Sequence, residues 1–181
     1  MRYVALLRGI NVGGNNIIPM KALAKTFEKL GLASVRTYIA SGNVLFETTE
    51  KDARKLEERI EAAVKKSHRC AAKVVVRSDA EMKKVIVGIP RDWNSDDPDM
   101  RYNVVFLRHE IDAKKVLDGI KPKLGVEVVA YKPGVLYWSA HRKDIPRTTM
   151  AKLSTLPIYQ HVTVRNLNTT RKLAELLEAK S

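Results

Sequence analysis

The strongest constraint on this chain is the order in which its hydrophobic pattern changes period, because that order runs twice in outline. Residues 2–8 are short, apolar and followed by glycine, the pattern of a buried strand. Met20, Leu23, Ala24, Phe27 and Leu30 then recur at helical spacing between Pro19 and Gly31, residue types that start and stop helices. Residues 35–39 and 44–47 are strand-like and flank Ala40-Ser41-Gly42-Asn43, a turn of residues that accept positive φ. Thr49 with Asp52 predicts a capping box ahead of a helix with Ala53, Leu56, Ile60 and Val64 on one face. Val74, Val75 and Val76 close the series as a strand. Strand, helix, strand, strand, helix, strand is the split βαβ arrangement of ferredoxin-like folds.

The series returns after residue 100. Residues 102–108 read as a strand, and Asp112 caps a helix carrying Val116, Leu117 and Ile120. Residues 126–131 and 135–140 flank the turn Lys132-Pro133-Gly134. A short helix near Met150 to Leu153, a strand at 162–164 and a terminal helix with Leu173, Leu176 and Leu177 complete it. The first strands of the two series even end alike, in Leu7-Arg8 and Leu107-Arg108. The sequence therefore predicts an α+β protein of two tandem ferredoxin-like (βαββαβ) subdomains with mainly antiparallel sheets, at 1–77 and 101–181. Between them, residues 78–100 predict a short helix capped by Ser78 and Glu81, then an acidic connection bounded by Pro90 and Pro98.

Composition narrows the class. A chain of 181 residues buries a core without disulfides or a structural metal. Its single cysteine, Cys70, allows no internal disulfide and no cysteine-based zinc site, and fits a reducing compartment. The longest apolar runs fall far short of a membrane span, and Met1-Arg2 leads directly into a strand-like run without a signal peptide. The expectation is a cytoplasmic protein with no membrane partner. The net charge of +13 favours polyanionic partners. It does not come from a tail: residues 1–77 and 101–181 each carry 15 basic against 7 acidic residues, whereas 78–100 is net acidic.

The most informative segment for chemistry is Arg8-Gly9-Ile10-Asn11-Val12-Gly13-Gly14-Asn15-Asn16, between the first strand and first helix. Its glycines let backbone N–H groups approach a ligand, and a loop feeding a helix N-terminus is a natural anion cradle. It is not a P-loop, since Asn15-Asn16 stand where Lys and Ser or Thr are required, and no G-x-G-x-x-G is present. The alternative is a structural loop whose glycines only make turns. A second segment, Arg165 to Arg171, opens the last helix with Asn166 or Asn168 as N-cap, Thr169 and Thr170 beside free N–H groups, and an arginine at either end. Ordinary capping is the alternative there. Ser41 and Asn43 are polar tips of the first hairpin, and no G-x-S-x-G elbow surrounds Ser41.

No catalytic motif emerges. His68, His109, His141 and His161 lack metal-binding spacing, and Asp96, Asp97 and Asp99 lack the glycine and distal glutamate of an EF-hand, so no metal and no cofactor is expected. His68-Arg69 offers Cys70 a basic neighbourhood that would lower its pKa, against the alternative of a small buried hydrophobe. Ferredoxin-like sheets also serve RNA recognition through paired aromatics, and Tyr3 and Phe46 fall on the corresponding strands. Gly42 to Glu47 does not match the basic, double-aromatic pattern of such modules.

The run Leu6 to Gly14, then Met20, then Thr37 to Phe46, with Trp138-Ser139 and Arg165-Asn166-Leu167-Asn168-Thr169, resembles a widespread, mainly bacterial family, domain of unknown function 1697. The resemblance extends over essentially the whole chain and departs at Val164, where the family pattern has Thr. It implies two related α+β subdomains and supplies no activity, cofactor or catalytic residue.

These features predict a binding module for a phosphorylated or other anionic small ligand, a nucleotide among the options. The expected ligand residues are Arg8, Gly9, Asn11, Gly13, Gly14, Ser41, Asn43, Arg165, Asn166 and Thr169, on the assumption that the first loop, first hairpin and last helix converge. One alternative is nucleic-acid binding through a basic face across both subdomains. Another is a phosphoester- or nucleotide-acting enzyme whose site is assembled from distant segments.

Overall fold

The computed structural model describes residues 1–14 and 16–179. The first series is β1 (Arg2–Arg8), α1 (Met20–Lys29), β2 (Ala33–Tyr38), β3 (Asn43–Glu47), α2 (Ala53–His68) and β4 (Lys73–Ser78), followed by α3 (Asp79–Val87). The second is β5 (Met100–Leu107), α4 (Ala113–Ile120), β6 (Glu127–Lys132), β7 (Val135–His141) and β8 (Val162–Asn166), followed by α5 (Leu167–Glu178). Each builds a four-stranded antiparallel sheet, in the orders β2-β3-β1-β4 and β6-β7-β5-β8. The fold is α+β, with two ferredoxin-like sheets.

The duplication holds residue by residue. Leu7 N–H donates to the Gly42 carbonyl (2.8 Å), and Leu107 N–H to the Gly134 carbonyl (3.0 Å). Val4 pairs with Arg77 and Val104 with Arg165. Tyr3 lies opposite Phe46, and Asn103 opposite Trp138. By these registers Tyr3 and Asn103 are equivalent positions, as are Phe46 and Trp138.

By packing, one unit consists of residues up to Lys83 together with those from Leu173 onward, and the other of Lys84–Lys172. In the first, α1 and α2 cover one face of the sheet, burying Tyr3, Leu7, Phe27, Phe46, Leu56 and Ile60. Val4, Leu6, Leu45 and Val75 on the opposite face are buried as well. At that face the Arg36 guanidinium donates to the Leu176 carbonyl (3.1 Å), and Leu176 and Leu177 lie beside Leu45. In the second unit α4 covers Val105, Leu107 and Leu136. Across its sheet, the Tyr137 hydroxyl donates to the Val85 carbonyl (2.7 Å), and Trp93 packs on Tyr102 and Tyr137. A Cβ at Gly88 would overlap the Tyr137 hydroxyl, so only glycine lets this segment lie so close.

Two expectations change in detail and one holds in full. The cap of α2 is Asp52 itself, whose carboxylate accepts from the N–H groups of Arg54 and Lys55 (3.0 and 3.2 Å), not Thr49. The box at Ser78 and Glu81 forms in full: the Ser78 hydroxyl accepts from Glu81 N–H, and the Glu81 carboxylate accepts from Ser78 N–H (2.8 Å). In the second unit no α-helix takes the place of α2. The 3-10 segments Arg142–Arg147, Met150–Thr155 and Pro157–His161 stand there, because Pro146 and Pro157 interrupt any longer helix.

Candidate functional site

The loop between β1 and α1 turns through a series of left-handed residues: Gly9, Asn11, Gly13, Gly14 and Asn16 all have positive φ. Two asparagines brace it. Asn11 Nδ2 donates to the carbonyls of Ile18 (3.0 Å) and Ala40 (2.9 Å), and its Oδ1 accepts from Ile18 N–H (2.7 Å). Asn16 Nδ2 donates to the Gly9 carbonyl (2.8 Å), and Asn11 N–H to the Asn16 carbonyl (3.1 Å). The Asn11 amide thus ties loop to hairpin, and its hydrogen-bonding capacity goes to the protein rather than to a ligand. Gly13 and Gly14 are exposed and donate no backbone hydrogen bond among the described residues. Beyond them α1 starts at Pro19 without a side-chain cap, which leaves N–H groups of its first turn open.

The hairpin comes to the same place. Asn43 is fully buried, with Nδ2 donating to the Tyr38 carbonyl (3.1 Å) and to the Ser41 hydroxyl (2.9 Å). It shapes the turn beside the half-buried Ser41. Ile10, at 1% exposure, anchors the glycine loop under Gly42. Arg8, half-buried at the end of β1, adds a cation at the start of the loop. The structure therefore gathers Arg8, Gly9, Asn11, Gly13, Gly14, Ser41 and Asn43 into one region of the first unit.

Arg165, Asn166 and Thr169 belong to the second unit. Arg165 is buried, donates from NH1 to the Thr163 hydroxyl and the Val164 carbonyl (both 2.9 Å), and is pushed down to about 10 by burial, so it stays charged at neutral pH. Asn166 is the N-cap, its Oδ1 accepting from Thr169 N–H (2.7 Å). Arg77, the positional counterpart of Arg165 on β4, is also buried and its pKa is likewise lowered by burial. This arginine pair went unnoticed in the sequence, where the only signal is the recurrence of Val-x-Val-Arg followed by a capping Ser or Asn.

Two other side chains resolve differently from their sequence context. Cys70 is buried, and burial pushes its thiol pKa up rather than down, so the basic neighbours in sequence do not activate it. Tyr3 and Phe46 stack on each other inside the core (5.7 Å between centroids) and face the helices, not solvent. A further buried carboxylate, Glu127, was also missed. It accepts from the Trp138 indole N–H (2.7 Å) and from the N–H groups of Thr149 (2.7 Å) and Lys123 (3.0 Å). Burial alone would raise its pKa, but these hydrogen bonds together outweigh burial and bring it below the ordinary glutamate value. No group of three or more His, Cys, Asp or Glu side chains among the described residues could hold a metal ion, and no helix is long and apolar enough to cross a membrane.

Two duplicated ferredoxin-like units, with a braced glycine loop on the first, define the class of architecture. The chain belongs to the family described as Protein of unknown function (DUF1697), whose model matches residues 1–137, a shorter span than the resemblance in sequence suggests. Among solved structures it is similar to the conserved bacterial protein SP0830 from Streptococcus pneumoniae, with a TM-score of 0.83 and 28% identity over 97% of this chain and 98% of that one. An unknown protein from Galdieria sulphuraria follows at a TM-score of 0.26 and 12% identity, over 91% of this chain and 95% of that one. The acetolactate synthase small subunit from Thermotoga maritima follows at a TM-score of 0.23 and 14% identity, over 91% and 96%. No curated protein matches the chain.

Proposed function

We propose that this protein is a cytoplasmic binding module for a small phosphorylated or otherwise anionic ligand, held at the loop between β1 and α1. One observation carries the reading: Gly13 and Gly14 are exposed and donate no backbone hydrogen bond among the described residues, on a loop that Asn11 and Asn16 brace. Backbone donors in such a loop bind an anion without reorganising. The uncapped first turn of α1 and the Arg8 cation add favourable potential. Ser41 is the side chain that would orient the ligand, while Asn11 and Asn43 support the frame.

The test is a thermal-shift screen at low salt with inorganic phosphate, nucleotides, sugar phosphates and short oligonucleotides, on wild type and Arg8→Gln. A ligand at about 100 times its Kd stabilises by about 2.7 kcal/mol, a shift of several degrees for a chain this size. A shift with one phosphorylated small molecule, lost in Arg8→Gln, supports the loop. No shift, or the same shift in the variant, refutes it. Shifts confined to oligonucleotides and erased by salt would favour nucleic-acid binding instead, a reading that rests on the net charge of +13.

A further inference from the structure

The two units differ most where they are otherwise equivalent. In the first, the core beneath β1 and β3 is closed by the Tyr3–Phe46 stack, with Phe27 against Phe46 edge-on and the Tyr3 hydroxyl donating to the Glu50 carbonyl (3.1 Å). In the second, Asn103 stands at the Tyr3 position and Trp138 at the Phe46 position. The layer above them is three 3-10 segments instead of the 16-residue α2. A shorter side chain below and a thinner layer above leave a cavity of about 450 Å³. Its walls include Asn103, Trp138, Met150, Leu153 and Tyr159, with Arg101 on the same strand face two residues before Asn103.

Asn103 makes the cavity more than a packing gap. It is only 8% exposed, and its side chain forms no hydrogen bond among the described residues. Its amide is a polar group in a mostly apolar lining, and an apolar residue would serve a purely structural core better. The opposite wall is fixed: the Trp138 indole N–H donates to Glu127, which also fastens the Thr149 and Met150 backbone of the facing segment. Exposed Arg101, Ala151 and Ser154 line the opening to solvent. The volume lies in the range of small-molecule pockets, and the lining is mostly apolar with a few convergent polar groups.

We propose that this cavity is a binding site for a small carboxylic acid with an aromatic or branched apolar body. The body lies against Trp138, Met150 and Leu153, the carboxylate meets the Arg101 guanidinium, and the Asn103 amide donates to a carboxylate oxygen. This site is separate from the glycine loop and stands or falls without it.

The experiment is a ligand-observed NMR titration of the full chain with phenylacetate and 4-methylvalerate, and with the corresponding neutral amides. Wild type is expected to bind at least one carboxylate saturably. Asn103→Tyr, which restores the plug of the first unit, is expected to abolish binding. Asn103→Ala keeps the space and removes the amide, and is expected to weaken binding about tenfold, as loss of one hydrogen bond to a charged group implies. Its melting temperature without ligand should stay at or above that of wild type. Arg101→Gln is expected to weaken the carboxylates about tenfold and the amides about twofold or less. No saturable binding of any probe to wild type, or unchanged affinity in both Asn103 variants, overturns the proposal.

Discussion

A methyl group added at Gly42 tests how the first hairpin is locked to the glycine loop. The residue has φ +75°, and a Cβ there would lie 3.0 Å from both Leu7 Cβ and Ile10 Cδ1. Leu7 Cβ is fixed to the backbone of the central strand β1, and Ile10 is buried, so neither neighbour swings away. Gly31 supplies the control: its φ is +78°, and nothing lies within 4 Å of a Cβ placed on it. Gly31→Ala therefore carries only the left-handed backbone penalty, about 1–2 kcal/mol. Gly42→Ala carries that penalty and about 1–3 kcal/mol of overpacking besides, about 2–5 kcal/mol in total. Urea denaturation followed by circular dichroism should show a lower midpoint at unchanged slope for both variants. Melting temperatures should differ by roughly 3–9 °C between them. Adding Ile10→Ala to Gly42→Ala should cost less than the two single losses combined, because it removes part of the obstruction. Equal losses for Gly31→Ala and Gly42→Ala would show that the close approach of hairpin and loop has no energetic weight, and the reasoning would fail.

Three other outcomes follow from the same geometry. Asp52→Ala should lower stability by about 1 kcal/mol through loss of the α2 cap, while Thr49→Ala stays within about 0.5 kcal/mol, and denaturation curves of the two decide between them. Glu127→Gln should cost about 1.5–3 kcal/mol near neutral pH by weakening charge-assisted bonds to Trp138 and Thr149. Because the Glu127 pKa is lowered by folding, its contribution is full above the unfolded value of about 4.3 and disappears as pH falls through the folded one, so the gap between wild type and variant should close in acid. A gap that is constant with pH would contradict this. Cys70 should react with a thiol reagent such as DTNB only as fast as the protein opens, since burial raises its pKa; rapid labelling of the folded protein would show otherwise.

Much of the fold is legible in the sequence because its signals are local. Gly42 and Gly134 mark both hairpins, Asp112 caps α4, and Ser78 with Glu81 starts α3 within four residues. What escapes is set by distant partners. Of the 3-10 segments between Arg142 and His161 only Met150–Thr155 is announced, by the short helix expected near Met150, while the other two have too little helical periodicity and their role depends on the sheet they cover. The glycine loop is visible as a loop, but an asparagine that binds a ligand and one that braces a turn are the same residue in sequence. Asn11 is shown to be a brace by its bonds to Ile18 and to the Ala40 carbonyl, 29 residues away. Asn103 carried no signal at all, since its meaning comes from standing where the first unit has Tyr3.

The first unit takes its final residues, from Leu173 onward, from beyond the whole of the second. During synthesis this imposes a wait. Once Lys83 has left the ribosome, roughly 90 further residues must be made before the segment bearing Leu176 and Leu177 can reach Leu45, about 5–20 s at ordinary elongation rates. Through that interval the face holding Leu45 lacks this part of its cover. A ribosome stalled within the second unit would hold a half-covered sheet.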